Sequence, residues 1–134
     1  MLEKSAAPSV WRRAGLASVA LAAVVLGGLV QAKDVPTDTS TVAWSQLPAQ
    51  ARATHQLILS GGPFPYEKDG TVFGNRERLL PIKTRGYYRE YTVPTPGLRH
   101  RGARRLVCGG TPPTEPEVCF YTGDHYASFK QVVQ

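Results

Sequence analysis

A hairpin-forming stretch decides the fold of this chain: residues 86–105 read GYYREYTVPTPGLRHRGARR. The first arm is rich in aromatic and β-branched residues around one carboxylate, Glu90, which is typical of a β-strand. A Pro-Gly turn follows at residues 96–97. The second arm carries the basic residues Arg99, His100, Arg101, Arg104 and Arg105. Folding the arms together would place one acid opposite several guanidinium groups, an arrangement that can hold a phosphate and remove a proton beside it.

The chain has 134 residues, which suits a single domain. Its N-terminal part predicts a signal peptide, because a basic start is followed by the apolar run 14–30 and by small residues at 30 and 32. The apolar run is shorter than the roughly 20 residues of a membrane span, although an uncleaved anchor is the alternative. We therefore expect a signal peptide at 1–32, a secreted domain at 33–134, and no stable membrane association after cleavage.

The charge of the expected domain is mildly basic. The full chain carries a formal net charge of +6, and two of these charges belong to residues 1–32, where Lys4, Arg12 and Arg13 outnumber Glu3. Arginine supplies most of the remaining positive charge, and its planar guanidinium suits bidentate contact with phosphate. A mildly basic surface is also common in secreted proteins without a polyanionic partner, so charge alone indicates little about nucleic acid.

Two cysteines, Cys108 and Cys119, lie in the expected domain. An even number of cysteines in an exported protein favours a disulfide. The intervening segment contains two glycines and three prolines, so it cannot be helical and could be closed at its neck. Two buried free thiols on neighbouring strands are the alternative. A zinc site is not predicted, because no pair of histidines lies nearby.

The order of the predicted elements indicates an α+β fold. A helix is expected from Pro48 to Ser60, with proline in its first turn and Gly61-Gly62 at its end. Its apolar positions 47, 51, 54, 57 and 58 share one face. Strands are expected at 87–95, 104–108 and 118–121, with a last, edge strand at 128–133. One N-terminal helix followed by hairpin-linked strands predicts a helix packed on a twisted antiparallel sheet.

Three histidines are available for proton transfer. His125 lies in a turn between two predicted strands, where a side chain projects from a fixed scaffold. His55 lies in the predicted helix and is interpreted as structural, and His100 as an exposed basic neighbour of the arginines. Glu90, His125 and the arginines together meet the requirements for cleaving RNA without a metal or other cofactor. A carboxylate can take the proton of the ribose 2′-OH, an imidazole can protonate the departing oxygen, and cations can stabilise the charge that develops.

Four stretches of the sequence support this hypothesis together. They read LILSGGPFPYEKDGTVFGNRE (57–77), GYYREYTVPTPG (86–97), RGARR (101–105) and YTGDHYASF (121–129). In combination they resemble the guanyl-specific microbial ribonucleases of the barnase and streptomycete group, and most closely its streptomycete branch. The resemblance implies a secreted endoribonuclease that cuts single-stranded RNA after guanosine. It would form a 2′,3′-cyclic phosphate by transphosphorylation and then hydrolyse it to a 3′-phosphate.

The resemblance also implies a role for each site residue. Glu90 would be the general base and His125 the general acid, with the roles exchanged during hydrolysis, while Arg101 and Arg105 hold the scissile phosphate. Glu77 would accept hydrogen bonds from guanine N1–H and its N2 amino group. Further substrate contacts are implied for the backbone around Asn75 and Arg76, for Tyr126 beside the phosphate, and for the aromatic rings of Phe73 and Tyr88. Ordinary core packing is the alternative for the last two.

Some positions depart from the family pattern. Gly74 stands where relatives carry a larger polar residue. Ala43 stands where relatives carry a cysteine that ties the N-terminal region to the C-terminus, so a Cys108–Cys119 bond would be a substitute. The resemblance implies RNA as substrate, a monomeric enzyme, and an acidic, barstar-like intracellular inhibitor protein that covers the basic site. The alternative is a catalytically silent secreted domain that binds RNA or the inhibitor, and delivery to competing cells as a toxin is a third interpretation.

Overall fold

The structure is a computed structural model that describes residues 40–134. The signal peptide predicted at 1–32 and the first residues of the predicted domain, 33–39, lie outside these described residues. Between residues 40 and 134, no helix has the length and apolar character needed to cross a membrane.

One α-helix, α1 (Ala49–Ser60), follows a single 3₁₀ turn at Trp44–Gln46. Pro48 immediately precedes the first residue of the helix. No N–H donor is needed at that position, so the missing N–H of proline costs no helical hydrogen bond. The helix ends at Gly61, whose φ of 78° is left-handed, and the N–H groups of Gly61 and Gly62 return to carbonyls of the last turn. The buried positions of this region are Leu47, Ala51, Thr54 and Ile58. The predicted helix and its buried face are confirmed.

Six strands form one sheet in the described part of the chain. They are β1 (Thr41–Ala43), β2 (Thr71–Val72), β3 (Tyr88–Thr92), β4 (Arg105–Gly109), β5 (Val118–Thr122) and β6 (Lys130–Val133). Their order across the sheet is β1-β6-β5-β4-β3-β2, and every neighbouring pair is antiparallel except β1 with β6. The α+β fold with one helix on a mostly antiparallel sheet is therefore confirmed.

The position predicted for the last strand is wrong. Residues 128–133 were expected at the edge of the sheet, but β6 lies between β5 and β1. β1 pairs with it in parallel, with Thr41 opposite Gln131, and the Gln131 N–H donates to the Ser40 carbonyl at 2.8 Å. The edge is thus occupied by β1, a three-residue strand.

Alternation along the strands separates two apolar clusters. Tyr91, Leu106 and Cys108 belong to the cluster that includes Ala51 and Ile58 of α1. The alternate strand residues Tyr88, Val107 and Phe120 point to the other face of the sheet. There they form the second cluster with Leu80 and Phe129 of the loops. Since successive strand residues point to opposite faces, Glu90 emerges on the face away from the helix.

The two cysteines lie opposite each other on neighbouring strands of the sheet. Cys108 in β4 is paired in register with Cys119 in β5, and the two sulfur atoms are bonded. Both residues are buried. The predicted disulfide is confirmed, and residues 40–134 contain no free cysteine.

Candidate active site

A cleft of about 500 Å³ opens on the face of the sheet away from α1. Two loops form its walls, one at 72–79 and the other at 125–129, and Glu90 of β3 lies between them. Of the residues proposed from the sequence, those that line the cleft are Phe73, Asn75, Arg76, Glu77, Glu90, His125 and Tyr126.

The first wall is a loop held by the side chain of Asn75. Its Nδ2 donates to the Leu80 carbonyl at 2.9 Å, and its Oδ1 accepts from the Leu80 N–H at 3.1 Å. The Asn75 backbone is left-handed, with φ 49°, which asparagine tolerates better than most residues. Because the amide is engaged inside the loop, Asn75 braces the wall, while Glu77 on the same loop is exposed to the cleft. This bracing by a side chain was not predicted.

Glu90 lies on the floor of the cleft with both carboxylate oxygens in contact. Oε2 accepts a hydrogen bond from the Tyr126 hydroxyl at 2.9 Å, and Oε1 lies 3.5 Å from Arg101 Nη2. The side chain is 17% exposed, so it is shielded but open to a ligand. Arg101 is held in turn by its Nε, which donates to Thr92 Oγ1 at 2.9 Å. The contacts fix both the carboxylate and the guanidinium beside it.

Arg105 is buried to 2% exposure at the start of β4. Its Nη1 donates to the Arg104 carbonyl at 2.7 Å and to the Arg101 carbonyl at 3.3 Å, while its buried Nε has no hydrogen-bond partner. Within residues 40–134 no carboxylate forms an ion pair with it. A buried cation with an unsatisfied donor is costly unless an anion completes the site. Arg105 thus has the properties of a residue that binds an anion.

A tight turn after β5 supplies the second wall. His125 and Tyr126 are both left-handed, with φ 55° and 71°, a conformation that costs free energy in residues with a Cβ. The His125 N–H donates to the Ala103 carbonyl at 3.0 Å, and the Tyr126 N–H donates to Thr122 Oγ1 at 3.1 Å. His125 is exposed at the rim of the cleft.

The carboxylate of Asp124 holds this turn together. It accepts hydrogen bonds from the Ser128 hydroxyl at 2.6 Å, the Ser128 N–H at 2.9 Å and the Thr122 hydroxyl at 2.8 Å. The hydrogen bonds from Ser128, and then that from Thr122, lower the pKa of Asp124 below its ordinary value. Sequence reasoning missed this residue, although a carboxylate flanked by hydroxyl residues in a turn is a recognisable signal.

Two of the predicted aromatic contacts lie at the cleft and one does not. The rings of Phe73 and Tyr126 stack at 5.3 Å between centroids. Burial and then the charge of Glu90 raise the pKa of Tyr126 to about 12, against the opposing effect of Arg105, so the phenol keeps its proton. Tyr88 is 3% exposed and its hydroxyl donates to the Pro81 carbonyl at 2.6 Å. It lies beneath the loop, in the position that the core-packing alternative describes.

The remaining histidines and arginines lie outside the cleft. His55 accepts a hydrogen bond at Nδ1 from Trp44 Nε1 at 3.3 Å, which agrees with a structural role. His100 is exposed and accepts from the Gly102 N–H at 3.0 Å. Among residues 40–134, no three His, Cys, Asp or Glu side chains are grouped in a way that could hold a metal ion.

A carboxylate, two guanidinium groups and an imidazole thus converge on one region, with a second carboxylate on a braced loop beside it. Such groups are suited to binding a phosphate ester and to moving protons around it. A family model described as ribonuclease matches residues 31–133. The chain belongs to this ribonuclease family.

Several relatives are similar over most of the described residues. The chain is 52% identical over 96 residues to guanyl-specific ribonuclease Sa of Kitasatospora aureofaciens, a match that covers 72% of this chain and 96% of the relative. It is 55% identical over 91 residues to guanyl-specific ribonuclease Sa3 of the same organism, which covers 68% of this chain and 62% of that relative's length. A solved structure of ribonuclease Sa2 in complexes with mononucleotides has a TM-score of 0.66 and 45% identity, covering 71% of this chain and 94% of the other.

Proposed function

We propose that this chain is a secreted, metal-independent endoribonuclease that cuts single-stranded RNA on the 3′ side of guanosine. The observation that carries the proposal is the placement of Glu90, in contact with Arg101 and Tyr126, in one cleft with His125 and Glu77. The names of the relatives, which are guanyl-specific ribonucleases, support guanine as the base. A structure of ribonuclease Sa2 with guanosine-2′-cyclophosphate, which has a TM-score of 0.63 and 46% identity, gives the same support.

In the first step, Glu90 takes the proton of the ribose 2′-OH while the 2′-oxygen forms a bond to phosphorus. The bond from phosphorus to the 5′-oxygen of the next nucleotide breaks, and His125 protonates that oxygen. The product is a 2′,3′-cyclic phosphate. In the second step, His125 takes a proton from water as the water oxygen attacks phosphorus. The bond to the 2′-oxygen breaks, Glu90 returns its proton to that oxygen, and a 3′-phosphate remains. An acid–base pair of this kind contributes about 10²- to 10⁴-fold to the rate.

Arg101 and Arg105 stabilise the charge on the phosphoryl oxygens. Arg105 is suited to this because it is buried, is held by backbone carbonyls and has no acidic partner within residues 40–134. Its guanidinium also lies 5.9 Å from the centre of the Tyr126 ring, which places it next to the Glu90–Tyr126 contact. Donors fixed before the reaction need no reorganisation as charge develops, and removing one costs about 10²- to 10³-fold in kcat.

Glu77 and the loop around it select guanine. A carboxylate can accept from N1–H and from the N2 amino group together, and guanine alone among the four bases has two donors on that edge. Backbone groups around Asn75 and Arg76 meet the opposite edge of the base, on a loop that the Asn75 amide keeps rigid. Stacking of the base on Phe73 adds about 1–3 kcal/mol.

The decisive experiment is digestion of a defined oligoribonucleotide with mapping of cut sites and product ends. The wild-type protein should cut after guanosine, leave 2′,3′-cyclic phosphate ends early in the reaction, and be insensitive to EDTA. Glu90→Ala and His125→Ala should each lose at least 100-fold in kcat while keeping the fold by circular dichroism. Loss of cleavage in EDTA, or a His125→Ala variant with full rate, would contradict the mechanism. A silent binding domain would leave no cyclic phosphate.

Glu77 is tested by comparing the dinucleotides GpU and IpU, since inosine lacks the N2 amino group. The wild-type protein should prefer GpU by about tenfold or more, the value of one hydrogen bond to a charged group. Glu77→Gln should lower kcat/KM for GpU and reduce this preference, because an amide accepts less strongly and carries a competing donor. A preference unchanged in the variant would remove the role given to Glu77 while leaving that of Glu90 intact.

Export and inhibition complete the proposal. The disulfide between Cys108 and Cys119 supports an oxidising, extracytoplasmic location, in agreement with the signal peptide predicted at 1–32. An acidic inhibitor protein that covers the basic cleft would protect RNA in the producing cell. Cell fractionation tests the first statement. Recovery of an acidic protein from the producing cell that blocks cleavage in a one-to-one complex tests the second.

A further inference from the structure

Four non-glycine residues have a positive φ in the described part of the chain: Asn75, Arg78, His125 and Tyr126. All four belong to the two loops that wall the cleft. Three of them line it. The fourth, Arg78, has φ 54° and no role so far.

The backbone of the first loop imposes this conformation on Arg78. Its N–H donates to the Asn75 carbonyl at 3.0 Å, which closes the turn that the Asn75 side chain braces from the other side. A left-handed φ is unfavourable for a long side chain, whereas glycine adopts it readily. Folding alone would therefore favour glycine at position 78.

The Arg78 side chain makes no polar contact within the described residues that would offset this unfavourable backbone conformation. It is exposed, and it makes no side-chain hydrogen bond or ion pair with residues 40–134. The one ion pair of the described residues joins Arg101 to Glu90. The guanidinium of Arg78 is thus exposed and unpaired, on a residue whose left-handed backbone costs free energy. Strained residues with no packing reason are concentrated at functional sites.

The neighbours of Arg78 place its charge at the rim of the cleft. Arg76, Glu77 and Leu79 all line the cleft, so Arg78 sits within the wall and is itself outside the lining. Arg76 leans towards Gly74, with its Cγ 3.6 Å from the point where a Cβ on that glycine would lie. This segment therefore carries two positive charges, Arg76 and Arg78, one on each side of Glu77 in the sequence.

We propose that Arg78 binds a phosphodiester group of the RNA that flanks the one being cut. This inference rests on the proposed function. In that function the base lies on the loop at 73–77 and the scissile phosphate lies at Glu90 and Arg105. The 5′-oxygen of guanosine is the remaining attachment, and in this proposal the phosphate on that side leaves the cleft past the loop. One exposed guanidinium at that rim is suited to contact it.

The experiment compares GpU with a substrate extended by one nucleotide on the 5′ side, UpGpU, and one extended on the 3′ side, GpUpU. Arg78→Gly and Arg78→Ala should lower kcat/KM for UpGpU about fivefold, through KM, while GpU changes less than twofold. Arg78→Lys should retain part of the effect. Arg52→Ala removes the same charge from α1, on the other side of the sheet, and should leave the ratio of the two substrates unchanged.

Stability separates binding from loop structure. Arg78→Gly should raise the melting temperature because glycine relieves the left-handed backbone, whereas Arg78→Ala should not. A variant that is more stable than the wild-type protein, yet has a lower kcat/KM for UpGpU, supports the proposal. A loss confined to GpUpU would overturn it, because the added phosphate of that substrate lies on the 3′ side.

Two further outcomes would overturn the proposal. Equal losses on GpU and both extended substrates would mean that Arg78 shapes the loop, and no loss on any substrate would mean that it does not contact RNA. Neither outcome touches the proposed function, which fails instead if the wild-type protein does not cut GpU.

Discussion

Asp124 offers a sharp test of how the turn at 123–126 presents the imidazole of His125, the acid of the proposed mechanism. Its carboxylate accepts three hydrogen bonds, two from Ser128 and one from the Thr122 hydroxyl. The turn holds two successive left-handed residues, His125 and Tyr126, each of which costs about 1 kcal/mol or more. The carboxylate offsets that cost, so Asp124→Ala should let the turn relax.

The size of the effect follows from these bonds. Asp124 is exposed, so the roughly 1.5 kcal/mol at the low end of the range for charged groups is halved for solvent screening to about 0.7 kcal/mol per bond, which gives about 2 kcal/mol in total. If the relaxed turn no longer presents His125, kcat falls about 30-fold, since 1.4 kcal/mol corresponds to a factor of ten. The melting temperature should fall by about 10 °C for a domain of this size.

The assay is the initial rate of cyclic phosphate formation from GpU, together with thermal unfolding. Ser128→Ala is the matched control, because it removes only the hydroxyl contact and should have about a third of the effect on stability. Hydrogen bonds lower the pKa of Asp124, so its stabilisation should be full above about pH 4 and be lost as the pH falls through the folded pKa. A kcat within twofold of wild type in Asp124→Ala would refute the reasoning, since the turn would then be held by other contacts.

Three further predictions concern other parts of the molecule. Tyr126→Phe keeps the ring on Phe73 but removes the 2.9 Å hydrogen bond to Glu90, so kcat/KM should fall about tenfold with little loss of stability. An unchanged rate would mean that the Tyr126 hydroxyl has no role in the reaction. Replacing Cys108 and Cys119 together by alanine should lower the free energy of unfolding by about 3 kcal/mol in urea titrations, yet leave kcat for GpU nearly unchanged because neither residue lines the cleft. Burial lowers the pKa of His55, so the unfolded chain binds a proton before the folded chain does as the pH falls below about 6.5, and stability should decrease there. His55→Leu should flatten this part of the pH profile of stability, measured by urea titration. An equal slope in the variant would mean that another group causes the pH dependence.

The parts of the fold with local signals were predictable from the sequence. Pro48 and Gly61 mark the ends of the helix through backbone geometry that few other residues share. The pairing of β1 with β6 has no such signal, because it joins Thr41 to Gln131 across almost the whole described chain. A three-residue strand carries too little alternation to reveal its partner, so the last strand was misplaced at the edge.

The candidate site shows the same division. The sequence identified the residue types that the chemistry needs, and Glu90, His125 and Glu77 do lie at one cleft. It could not show which side chains hold the others in place. Tyr88 and Phe73 have similar propensities, but the loop folds over Tyr88 at Pro81 and leaves Phe73 at the cleft. Asp124 and the Asn75 amide act through turns whose geometry exists only once the backbone is folded.

The parallel pairing of β1 with β6 has a consequence for the timing of biosynthesis. A ribosome makes β1 early and β6 after every other strand of the sheet, and the two must meet before the sheet is complete. The turn that carries His125 lies between β5 and β6, so it too is made late. A nascent chain therefore has Glu90 and the arginines before it has His125, the acid of the proposed mechanism. In a protein that degrades RNA, this order would keep the growing chain inactive while it is still attached to the ribosome that makes it.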